Sequence, residues 1–217
     1  MRSTEDSHKF TPPLPTVTVE TKPLIPYVEA EDAPERLKPV LDPYIKRMGF
    51  LPNALKLYMH RPEIAETLWK LNSNVMRDPS STLDQFLKRR LAAVASKING
   101  CTYCTSHHCA ILKNDSDSGS EGWGLTDEDL RNLLTEDLEP KDEFERVCFD
   151  FVRAASEDPK NVPEEIYQRL VKLLTPPQIV ELACVVGFWK LYNTIHDSLK
   201  VPLESILHSV SGYVALK

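Results

Sequence analysis

The stretch that most constrains the fold spans residues 179–195, where apolar side chains occupy almost every position and Glu181, Lys190, Asn193 and Thr194 interrupt them. It follows Thr175-Pro176-Pro177-Gln178, a capping-box start with proline in the first turn, so it reads as a helix. A helix that is apolar nearly all round must be surrounded by other helices. It is too short and too interrupted to cross a bilayer. The rest of the chain therefore has to supply the helices that cover it.

The remaining sequence supplies them. Seven glycines stand against seventeen prolines, and the prolines mostly open helical patterns, which favours helices joined by short turns. Residues 33–48 carry Leu37, Val40, Leu41 and Ile45 on one side and stop at Gly49; Pro39 and Pro43 make two short pieces as good a reading as one helix. Residues 53–60 follow, ending at His60. Residues 62–77 then place Ile64, Leu68, Leu71 and Val75 in an apolar stripe bordered by Trp69 and Met76. Ser81-Thr82-Leu83-Asp84 starts a helix that runs to Ile98, and Thr126-Asp127-Glu128-Asp129 starts another. Beyond Asp142, Phe144, Val147, Phe151 and Val152 share a face; residues 163–174 and 203–216 are further helices, the last able to exchange with a neighbouring subunit.

The expectation is an all-α multi-helix bundle, with room for two related helical halves before the cysteines and after Asp142. A Pro-rich arm, residues 1–26, precedes a single domain of residues 27–217; the arm, with an unpartnered His8, is either disordered or extended across a neighbour. Residues 114–122 form a polar loop. It lacks the closing glutamate of a calcium loop.

The chemistry-bearing stretch is Asn99-Gly100-Cys101-Thr102-Tyr103-Cys104, followed by His107, His108 and Cys109. At about 3.6 residues per turn, Cys101, Cys104 and His108 fall on one helix face. Two cysteines three apart can reach the roughly 5.5 Å Cα separation of a disulfide with little movement. An Asn-Gly stop places them at a helix N-terminus, where free N–H groups favour a thiolate. His108, one turn beyond Cys104, is placed to take its proton. Cys148 and Cys184 sit in apolar helical patterns and read as small core residues.

This pattern, Asn99-Gly100-Cys101-x-Tyr103-Cys104-x-x-x-His108 after the helix of residues 91–98, resembles the alkylhydroperoxidase D (AhpD)-like branch of the carboxymuconolactone decarboxylase superfamily. It is most similar to that branch's longer peroxidase-related proteins. Gly49-Phe50-Leu51-Pro52-Asn53, His60-Arg61-Pro62-Glu63, and Asn193, Asp197 and Val201-Pro202 extend the likeness over residues 35–205. The resemblance implies an AhpD-like helical subunit, usually a homo-oligomer, whose cysteines cycle between dithiol and disulfide while reducing a hydroperoxide, with an unknown thiol as electron donor. It implies Cys104 as attacking thiol, Cys101 as resolving thiol and His108 as proton acceptor.

The family's relay glutamate, twelve residues before the first cysteine, is Arg89 here, between Lys88 and Arg90. A cation there favours a thiolate but relays no proton. Tyr103, His107, Glu181 and His196 are the candidate accessory residues, and Glu181 or His196 is the candidate to replace the missing relay. Alternatives are a catalytically inactive helical scaffold, encouraged by Arg89, and a cysteine-independent lactone decarboxylase.

No metal or other cofactor is expected, because Cys101, Cys104, His108 and Cys109 on one helix diverge too far for a tetrahedral site. A net charge of −6 argues against nucleic acid as the main partner. The polar first 22 residues, and five cysteines suited to a reducing compartment, point to a cytoplasmic protein with no membrane association.

Overall fold

Thr175 opens the long helix as the sequence requires: its side chain and that of Gln178 cap each other's backbone, and α9 then runs Pro176–Ser198. The computed structural model describes residues 12–114 and 122–217. His8 and the middle of the polar loop lie outside the described residues. Ahead of α9 come α1 (Lys38–Met48), α2 (Asn53–Tyr58), α3 (Pro62–Arg77), α4 (Gln85–Ile98), α5 (Thr102–Lys113), α6 (Asp127–Leu134), α7 (Glu143–Glu157) and α8 (Glu164–Leu173). A 3-10 segment, Ser205–Ala215, closes the chain. No strand occurs among the described residues, so the fold is all-α, as expected.

The helix α4 sits at the centre, packed by α5, α7 and α9. Its small residues Ala92, Ala93, Ala95 and Ser96 are fully buried and let those neighbours approach closely. Asp84 caps it by accepting from the Leu87 N–H at 2.9 Å. Arg90 ties it to α7 through the buried Glu145 and lies over the Phe86 ring at 4.4 Å. The Glu181 carboxylate reaches from α9 to the turn before α4, accepting from the Thr82 and Leu83 N–H groups and the Ser81 hydroxyl. That is a fastening role, well away from the cysteines.

Several expectations are corrected. α1 is one helix, with Pro39 in its first turn. On α3 the buried residues are Ala65, Leu68, Asn72 and Met76, whereas Ile64 and Leu71 face outward. The stripe is rotated because Asn72 accepts a hydrogen bond from Arg77 and can therefore be buried. α9 is not covered on every side: Val180, Ala183, Cys184, Gly187 and Leu191 are exposed along one face, so Cys184 is no core residue, whereas Cys148 is fully buried. The closing segment is 3-10 rather than α-helical, and it packs on α5 and α4. In the described part of the arm, Leu24 N–H donates to Leu199 O, and Pro15 O and Leu14 crowd Gly212.

Candidate functional site

The Asn99-Gly100 pair ends α4 in a Schellman turn. Gly100 adopts φ +75°, its N–H donates to Lys97 O at 2.9 Å, and the Cys101 N–H donates to Ser96 O at 3.1 Å. The reversal makes Cys101 the N-cap of α5, its sulfur accepting from the Cys104 N–H at 3.4 Å. The turn is pinned to α9: Asn99 Nδ2 donates to Asn193 Oδ1 at 2.8 Å, and Asn193 Nδ2 donates to Ser96 Oγ at 3.2 Å. Two sulfurs thus sit at a helix N-terminus, as the sequence predicts, and both are free thiols.

The imidazole beside them differs from the one expected. His196 of α9 places Nδ1 2.9 Å from Cys104 Sγ, while His108 turns its Nδ1 to the buried Arg89 guanidinium at 3.3 Å and its ring edge to Trp189 at 4.1 Å. The periodicity does put His108 one turn beyond Cys104. Arg89 occupies its other side, and α9 delivers a nearer base. His196 stacks on Tyr58, with ring centroids 5.7 Å apart and planes 17° apart, and meets Tyr103 and Tyr192 edge-on. These rings hold its orientation.

Electrostatics oppose a resting thiolate at Cys104. Burial, and next the adjacent Cys101, push the Cys104 thiol well above its ordinary range. Burial also carries His196 down to about 3, and burial with the Arg89 charge holds His108 well below the usual imidazole value. Both directions favour a neutral thiol donating to a neutral imidazole and run against a Cys104 sulfur that is acidic near neutrality. The His196 proton then lies on Nε2, which like His108 Nε2 is buried with no hydrogen-bond partner among the described residues. Orphaned ring nitrogens at a cavity are where a bound molecule is engaged.

That cavity, about 80 Å³, has Cys104, His108, His196 and Arg89 on its polar side and Tyr58, Trp69, Trp189 and Tyr192 as aromatic walls. It holds a small organic molecule or several waters. A second hollow of about 220 Å³ shares Tyr103 and His196 with the first and is otherwise lined by Gly100, Thr102, Asp197 and Lys200 and by Thr18 and Glu20 of the arm. Half-burial pushes the Asp197 carboxyl up, and its interaction with Cys101 opposes that rise.

Tyr103 and His107 do not face the sulfurs with their polar atoms. Both go to Glu204: Oε1 accepts from the Tyr103 hydroxyl at 2.9 Å and from the Asn53 N–H at 2.6 Å, and Oε2 lies 2.8 Å from His107 Nε2. Sequence reasoning missed Glu204, and only its place just after Val201-Pro202 marks it. Burial alone would raise its pKa, yet the His107 hydrogen bond and charge and the Asn53 N–H hold it below the ordinary carboxylate range.

The site is a Cys-x-x-Cys at a helix N-terminus whose second sulfur lines an aromatic cavity in an all-α bundle. Residues 62–121 match the family model described as "Carboxymuconolactone decarboxylase family". The fold is shared with the debrominase Bmp8, apo (21% identity, 87% of this chain and 96% of that one, TM-score 0.72). Its cysteine-to-alanine variant, solved in complex with 2,3,4-tribromopyrrole, is also similar (20%, 91% and 100%, 0.71). So is an uncharacterised peroxidase-related AhpD-core protein of Ralstonia eutropha JMP134 (18%, 86% and 94%, 0.71). No curated protein sequence matches significantly. Residues 62–121 are thus similar to the carboxymuconolactone decarboxylase family, and most of the chain shares the fold of the AhpD-core protein. No helix among the described residues is long and apolar enough to cross a membrane.

Proposed function

We propose that the chain is a thiol oxidoreductase whose Cys101–Cys104 pair reduces a small organic hydroperoxide. The observation that carries this reading is Cys104 Sγ on the cavity wall, 2.9 Å from His196 Nδ1, with Cys101 three residues away. In the first step the Cys104 sulfur attacks the outer peroxide oxygen; the O–O bond breaks, the alcohol leaves with a proton, and Cys104 becomes a sulfenic acid. Cys101 then attacks that sulfur, water leaves and a disulfide forms. The sum is ROOH + 2 RSH → ROH + H₂O + RSSR, and a dithiol reductant restores the pair. His196 is the group placed to take the Cys104 proton as substrate enters.

A second reading, reductive removal of halogen from a small arene, is favoured by the aromatic walls and by the likeness to a debrominase. It consumes the same two thiols and releases the arene, bromide and a proton. Reduced protein mixed in turn with an alkyl hydroperoxide and with a brominated pyrrole separates the two. Cys104→Ser should abolish turnover of either substrate. Unchanged turnover in that variant would defeat both readings, and carbon dioxide release from a muconolactone that survives it would favour a cysteine-independent decarboxylase.

A further inference from the structure

The sequence argument against a metal assumed that all ligands ride one helix. The fold changes the donor set: His196 comes from α9, and Cys101 Sγ, Cys104 Sγ and a His196 ring nitrogen all lie within 4.8 Å of one another, all buried. Among the described residues no other three His, Cys, Asp or Glu side chains gather this way. We propose that in the dithiol state these three side chains bind a thiophilic d¹⁰ cation, Zn²⁺ above all, through both thiolates and His196 Nδ1, with the fourth position open to the aromatic cavity.

Donor chemistry and distances agree. Two thiolates and one imidazole with an open position is a recognised zinc set. With Zn–S of about 2.3 Å and Zn–N of about 2.0–2.1 Å, a tetrahedral centre needs its sulfurs roughly 3.8 Å apart and each about 3.5 Å from the nitrogen. The group already fits within its 4.8 Å span. The contact between Cys104 Sγ and Nδ1, now 2.9 Å, has to open by about 0.6 Å to reach that separation. The imidazole needs no reorientation, because Tyr58, Tyr103 and Tyr192 already hold its plane. The Schellman turn at Gly100 and the Asn193 hydrogen bonds fix the backbone that carries both sulfurs.

Binding makes two Zn–S bonds and one Zn–N bond, and the two thiol protons leave to solvent. No electron moves. Because a disulfide uses both sulfurs, the oxidised protein has no such site. A bound cation therefore holds the pair reduced and masks it from oxidants. The proposal needs only these three side chains together and stands apart from the oxidoreductase reading.

The test is anaerobic titration of the reduced, chelator-stripped full chain with Co²⁺, then displacement by Zn²⁺. One equivalent should bind, giving thiolate-to-cobalt charge transfer and the strong visible bands of tetrahedral cobalt. The disulfide form should bind none. His196→Asn should weaken binding at least about tenfold, since even losing an outer-sphere partner costs roughly 10–100-fold. Cys101→Ser, which keeps a helix N-cap, should do the same while circular dichroism reports an intact fold. Cys184→Ser should change nothing. Equal uptake by the reduced and oxidised forms, or uptake that survives both site variants and falls with Cys184→Ser, would overturn the proposal.

Discussion

Glu204 offers the sharpest stability test, because one carboxylate joins α2, α5 and the segment after α9 beneath the candidate site. Its side chain is 11% exposed, so solvent screens it little. Glu204→Ala removes three hydrogen bonds and leaves the Asn53 N–H and the Tyr103 hydroxyl without this partner. At about 1–3 kcal/mol for each buried group left unmet, the loss should be roughly 3–5 kcal/mol. Glu204→Gln keeps one carbonyl oxygen for Asn53 and Tyr103 and turns its amide to His107, so only charge assistance is lost, about 1–2 kcal/mol.

The pH dependence separates charge from shape. The folded pKa of Glu204 is depressed, so its contribution is fully present above the unfolded carboxylate value near 4.3 and is lost as pH falls through the folded value. The stability gap between parent and Glu204→Gln, measured by urea unfolding, should close toward zero as the solution becomes more acid than the carboxylate range. A Glu204→Ala protein within about 0.5 kcal/mol of the parent at pH 7 would refute the reasoning, as would a Glu204→Gln gap that stays open in strong acid.

Two further outcomes follow from backbone and access. Gly100→Ala places a Cβ in open space but at φ +75°, so it should cost about 1–2 kcal/mol and lower the thermal midpoint by several degrees; an unchanged midpoint would contradict the turn. Cys184 is exposed on α9 whereas Cys101, Cys104, Cys109 and Cys148 are buried, so a small disulfide reagent should modify one thiol per chain quickly and that fast phase should vanish in Cys184→Ser; a fast phase that survives would contradict the burial of the others.

Much of the scaffold was legible because caps are local. Thr126, Thr175 and Asp84 announce helices whose starts depend on side chains within three residues, and Asn99-Gly100 specifies a turn that only a left-handed glycine satisfies cheaply. The two sulfurs were legible for the same reason. The imidazole was legible only as one of several accessory candidates: His196 lies 92 residues from Cys104, and the pairing depends on how α9 crosses α5. Glu204 and the turn of His108 toward Arg89 are likewise products of packing. The rotation of α3 shows the converse limit, since an apolar count cannot foresee that Asn72 will be buried with a hydrogen-bonding partner. Thiol acidity was misjudged because the helix terminus was weighed without the burial that opposes it.

The central claim is that Cys104 and Cys101 act as one redox pair at the cavity. Fully reduced protein should be mixed rapidly with one equivalent of a small alkyl hydroperoxide, quenched in acid and mapped by mass spectrometry. The account predicts loss of two thiols per chain and a single new disulfide joining Cys101 to Cys104, with Cys109, Cys148 and Cys184 still free. Retention of all five thiols, or oxidation confined to the exposed Cys184, would contradict it.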